Sequence, residues 1–170
     1  MTITHLDDEP LDTLHPLDML ERAVEANGWA FERAGRDELN LSVAGKWSDH
    51  HFNFSWREDL QSLHLSSAFD MRISEGIRRQ NIADLLMHVN AKLWIGHFEL
   101  WSTSGILLFR HAAMIDGDEP TLSLGQAELL IESAIDECER FYPAFQLVIW
   151  GGKTAEEAMT AAILDPIGEA

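Results

Sequence analysis

Cross-linking chemistry is nearly absent from this chain of 170 residues, which holds a single cysteine, Cys138. One thiol cannot close an internal disulfide, so the fold must rest on a packed core. With 46% apolar residues at this length, one domain can bury roughly 70% of the surface that its unfolded chain exposes. Basic residues are also scarce, 12 Lys and Arg against 29 Asp and Glu, for a formal charge of −17. Such a balance argues against nucleic acid as a partner, because sequence-independent affinity for it comes from neutralising phosphates with Lys and Arg. No apolar run approaches the ~20 residues of a membrane-spanning helix. The opening MTITHLDDEP has neither a basic stretch nor an apolar one to mark it for export, so the expected location is the cytoplasm.

Recognised catalytic spacings are missing as well. There is no GxGxxG turn for a dinucleotide and no GxSxG elbow for a nucleophile. The tetrapeptide GGKT at 151–154 resembles the end of a phosphate-binding loop, but Leu147 stands where that loop needs its first glycine. A chain break followed by a helix cap accounts for it better. Cys138, on an apolar helical stripe between Glu137 and Glu139, has surroundings that suppress the thiolate, so it reads as a small core residue. None of the eight histidines pairs at the i, i+4 spacing of a helical zinc motif, and the adjacent His50 and His51 must point to opposite faces of a strand. A metal site drawn from His64, His88, His97 and His111 across separate elements has no supporting pattern, and no cofactor is expected.

Acidic residues are unevenly placed. Asp7, Asp8, Glu9 and Asp12 occupy residues 1–15 with no Lys or Arg, and Glu128, Glu132, Asp136, Glu137 and Glu139 face only Arg140 on a late helix. Solvation explains such faces; a surface that docks a basic segment is the sharper alternative. Residues 1–15 have little to bury and are expected to form a mobile acidic arm, with one domain over 16–164 and a tail at 165–170.

Within that domain Pro16 suits a first helical turn, Leu17, Leu20, Ala23 and Val24 form a stripe, and Asn27 and Gly28 end the helix. From Trp29 the period falls to two: Trp29 and Phe31; Leu39, Leu41 and Val43; Phe52, Phe54 and Trp56; Leu63 and Leu65. That spacing predicts an antiparallel meander of three or four strands, with Asn40, Ser42, Asn53, Ser55, His64 and Ser66 on a wet face. A helix over about Glu75–Trp94, ended by Gly96, should cover the apolar face. Arg72, Arg78 and Arg79 near its start oppose the helix dipole and are read as solvated partners of Glu75 and its acidic surroundings. A hairpin of HFELW and ILLFRH comes next. Its second strand is apolar on both sides, so a second apolar face around Trp101, Leu107 and Phe109 is predicted, either as an interface or as a surface that the C-terminal helices wrap round to cover. Ser123 and Gln126 make a capping box for a helix to about Tyr142, which Pro143 should kink or stop; the apolar stretch from Phe145 to Trp150 is expected to pack as a further turn or two of helix before Gly151 and Gly152 break the chain, and Thr154 and Glu157 cap a short last helix.

The block NAKLWIGHFEL, then GILLFRHA and YPAFQLVIWGGKTAEEAM, resembles the YbjN-domain family of bacterial sensory transduction regulators, whose fold is similar to that of type III secretion chaperones. The likeness covers most of 16–164 and is firmest at Asn90, Gly96, Phe98 and the YP and WGGK pieces. It implies an α+β domain, an antiparallel sheet against helices, that is non-enzymatic, homodimeric and cytoplasmic and that binds a protein partner or client. It supplies no catalytic or ligand residue. A rival reading from the residues is a small-molecule or metal-binding sensor or cryptic hydrolase, with a pocket between helices and sheet and His88, His97 or His111 as titrating groups.

Overall fold

The computed structural model describes residues 15–115, 117 and 121–164. The predicted tail and the arm lie outside these residues, apart from His15. That residue is a helix cap: its ring accepts the Leu17 N–H, while Asp18 accepts the N–H of His15.

Helix α1 (Pro16–Ala26) leads into four strands, β1 (Ala30–Arg33), β2 (Glu38–Val43), β3 (His50–Arg57) and β4 (Ser62–Arg72). The meander thus has four strands, because Phe31 pairs with Leu41 and extends the alternation by one row. Helix α2 (Ile77–Asn90) crosses to the hairpin β5 (His97–Trp101) and β6 (Ile106–Met114), and α3 (Leu124–Ile149) and α4 (Ala155–Leu164) complete the described chain. All neighbouring strands run antiparallel in the order β1-β2-β3-β4-β6-β5. The fold class is α+β, as the sequence predicts.

Period-two alternation sends Leu39, Leu41, Phe52, Phe54, Leu63, Leu65, Phe98, Leu107 and Phe109 to one side, where they share a core with Leu17, Leu20, Ile131 and Phe145. Helices α1 and α3 lie over this side. Phe69 meets Tyr142 and Phe145, and Phe98 meets Phe141 and Phe145, at centroid distances of 5.2–6.1 Å that suit aromatic packing. Helix α2, expected to cover the sheet, packs instead beside β5 and against α3 and α4.

Two helix ends differ from the sequence reading, each for a local reason. Helix α2 stops at Asn90, well before Gly96, because the Asn90 side chain turns to the next strand. Its Oδ1 accepts the Phe98 N–H at 2.8 Å and its Nδ2 donates to the Phe98 carbonyl at 2.9 Å. Gly96 then opens β5 at φ +68°, where an added Cβ would lie 2.5 Å from the Phe109 ring. In contrast, α3 does not stop at Pro143 but continues to Ile149, 26 residues in all, about 39 Å at 1.5 Å per residue. The missing N–H and the ring clash cost about 3 kcal/mol, which the burial of Ala144, Phe145, Val148 and Ile149 beyond the proline offsets.

The remaining turns follow the sequence. Ser123 and Gln126 cap α3 reciprocally, and Thr154 and Glu157 do the same for α4. GGKT is a helix–helix turn, with Gly152 at φ +64° and the Lys153 N–H donating to the Leu147 carbonyl.

Candidate functional site

The sheet's second face carries none of these helices. Register places Asn40 and Ser42, then Asn53 and Ser55, then His64, Ser66 and Ala68, then Leu108 and Arg110, and finally Glu99 and Trp101 across it in adjacent rows. Six of these are the polar residues assigned by sequence to the wet side. The β6 end is different: Leu108 is only 4% exposed and lies outside the main core, beside half-exposed Trp101. Asn53, Ser55, His64, Ser66, Ala68, Trp101, Ile106, Leu108 and Arg110 together line a hollow of about 330 Å³.

A hydrogen-bonded chain edges this hollow. Arg110 donates through Nε to His64 Nε2 at 3.1 Å and through a terminal nitrogen to Glu99 at 3.0 Å, and the same Glu99 oxygen accepts the Trp101 indole N–H at 2.8 Å. Burial opposes ionisation of Glu99, but the hydrogen bonds from Trp101 and Arg110 and the neighbouring positive charge outweigh it and hold the carboxyl below its ordinary range. For His64, burial and then the Arg110 charge push the imidazole below the usual histidine value. Neutral His64 accepts at Nε2, so its proton sits on Nδ1. Burial, with a smaller contribution from His97, also lowers His111.

These shifts set a pH dependence. An imidazole lowered in the folded chain binds protons more readily when unfolded, so its stabilising contribution is complete above the ordinary value of 6.5 and is lost as pH falls below it. Melting temperature should drop from pH 7 to pH 5, with a shallower slope in a His64→Gln, His111→Gln double variant. Parallel slopes for the two proteins would contradict the assignment.

The predicted interface residues do not share a face. Trp101 pairs with Ile106, and directly opposed residues project to the same side, so Trp101 belongs with Ile106 and Leu108 on the open face. Leu107 and Phe109 point to the other side and are fully buried in the core; they are corrected from surface to core. The C-terminal helices leave the open face uncovered because α3 and α4 stack on the opposite side with α1 and α2. His64 and His97 face the open side, His88 lies on α2, and among the described residues no group of three His, Cys, Asp or Glu could hold a metal. The hollow is therefore not the helix–sheet pocket of the rival reading. Sequence reasoning missed Arg110 and Glu99. The usable signal was the hairpin itself, since residues flanking its loop must oppose one another and fix the faces of both strands.

Cys138 is buried, and burial followed by the charges of Glu139 and Glu137 raises its thiol far above the ordinary value. Arg79 reaches Glu75 and the Ser102 carbonyl, tying α2 to the hairpin tip.

A family model for YbjN, described as "Putative bacterial sensory transduction regulator", matches residues 16–147. The chain belongs to the YbjN family. Among solved structures it is similar to the crystal structure of YbjN, "a putative transcription regulator from E. coli", at 13% identity and a TM-score of 0.49, over 90% of this chain and 91% of that one. No curated protein matches the chain. Within this YbjN domain, Asn90, Gly96 and Phe98 are the parts of a single joint between α2 and β5. No described helix is long and apolar enough to cross a membrane.

Proposed function

We propose that this YbjN protein is a non-enzymatic cytoplasmic regulator that acts by holding a polypeptide, foremost a second copy of itself, against the open face of its sheet. The observation that carries this reading is the set of apolar side chains, Trp101, Ile106 and Leu108, on the side opposite every helix. Charge supports it. Copies with a net charge of −17 repel one another, and the β3 to β5 part of this face sets Arg57, Arg72 and Arg110 and several histidines against Asp70 and Glu99. It is therefore a place where two such chains can approach with little repulsion.

Leu108 is already covered, so association gains little from it. Trp101 and Ile106 retain area to bury, worth roughly 1.5–3 kcal/mol each before association costs are subtracted. A weak pair, favoured by salt and by concentration, is the expected result. Sedimentation over a wide concentration range should show a dimer that a Trp101→Asp, Ile106→Asp double variant loses while its melting temperature stays close to wild type. A wild-type chain that sediments as a monomer at every concentration would refute self-association.

A further inference from the structure

We infer that the hollow on the open sheet face binds a small organic carboxylate, with its acid group on Arg110 and its apolar body over Ala68, Ile106 and Leu108 beside Trp101. The site lies on the surface invoked for self-association and goes beyond that reading, since a ligand here can bind one chain alone.

Four features fix the ligand's chemistry. The volume of about 330 Å³ lies at the small end of the range for small-molecule sites, roughly 300–1,000 Å³. Its lining is divided, with Ala68, Ile106, Leu108 and Trp101 supplying apolar surface and Arg110, His64, Ser55, Ser66 and Asn53 supplying polar groups. An amphipathic molecule matches this division; a sugar or a bare ion would leave the apolar part unused. Arg110, whose side chain is 38% exposed, is oriented by His64 at Nε and by Glu99 at one terminal nitrogen. The guanidinium has N–H groups beyond these two bonds, in a planar fork that suits a carboxylate.

His64 adds direction. Because its Nε2 accepts from Arg110, its remaining N–H is a second donor, and the Ser55 and Ser66 hydroxyls bond to no other described side chain. These are further donors on the lining beside the guanidinium, and Asn53 already gives an N–H to Asn40. Charge then separates the ligand classes. Among the lining residues Arg110 alone is charged, while Arg72, opposite Ile106, is balanced on this face by Asp70. A cationic ligand finds no carboxylate in the lining, and a phosphate of two negative charges would find one positioned arginine and no helix N-terminus. A monocarboxylate fits a single arginine.

The test uses 4-phenylbutyrate and its uncharged amide as matched probes, each titrated into the full chain and followed by amide shifts in two-dimensional NMR. Wild type should bind the carboxylate at least tenfold more tightly than the amide, with shifts centred on β4 and β6. Arg110→Gln should remove that preference while leaving amide binding unchanged, and Arg110→Lys should restore part of it. Equal affinity for the two probes, binding of neither at millimolar concentration, or a preference that survives Arg110→Gln would each overturn the assignment. Sedimentation of the unliganded wild-type protein separates the two proposals: a wild-type dimer without carboxylate preference sinks the ligand site alone, whereas a wild-type monomer with the preference sinks self-association alone.

Discussion

Phe109→Ala is expected to cost about 3–5 kcal/mol of stability, whereas Trp101→Ala should cost less than about 1 kcal/mol, although the two residues stand on neighbouring strands. Phe109 is fully buried, meets Phe98 at 5.2 Å and lies against Gly96, which has no side chain of its own to fill the space it leaves. Trp101 is 51% exposed, so truncating it leaves no enclosed cavity. Urea midpoints for the two variants measure the contrast. Similar losses for both would mean that the assignment of faces in the hairpin is wrong.

Glu139→Ala should be nearly as damaging, by about 3 kcal/mol. One carboxylate oxygen of Glu139 accepts from His50 Nε2 at 2.5 Å and from the Lys46 N–H at 3.0 Å, so α3 is tied at a single point to the loop between β2 and β3. His50 is 2% exposed, with Phe52 and Phe69 against its ring. Without Glu139 a buried imidazole and a backbone N–H both lose their partner. Glu139→Gln keeps an acceptor and should lose only about 1 kcal/mol. Thermal or chemical denaturation of the pair provides the check, and equal losses would show that shape, not the acceptor, matters at this position.

Where one element decides the outcome, the fold was legible in the sequence. Leu39, Leu41 and Val43 alternate with Asn40 and Ser42, and a slip of one residue would reverse every side chain, so both faces of the meander follow from spacing. Caps at Ser123 and Thr154 were equally local. Of the two outcomes that propensity allows at Pro143, the stop did not occur: the helix continues to Ile149 because the burial that carries α3 past the proline depends on residues of other elements. Gly96 reads as a helix end in any local view, and only the Asn90 side chain, bonded eight residues further on, shows that the helix had already stopped.

The site was the least legible part. His64, Glu99 and Arg110 come from three strands, and they meet because β6, the later strand of its hairpin, inserts between β4 and β5. Nothing within any one strand specifies that insertion. That both sides of β6 are apolar was legible in its own residues, but which of them share a face with Trp101 was not: Ile106 and Leu108 do, and Leu107 and Phe109 do not.

The margins of the sheet limit what it can build. β1 has four residues and β5 has five, with α2 packed along the latter, so neither rim offers the long bare template from which strands add side by side. Strand addition at the rims is thereby disfavoured, and the proposed pairing uses the open face, of which each molecule has one. A pair formed there as proposed leaves no such face for a third molecule, so it would close instead of running on into a filament.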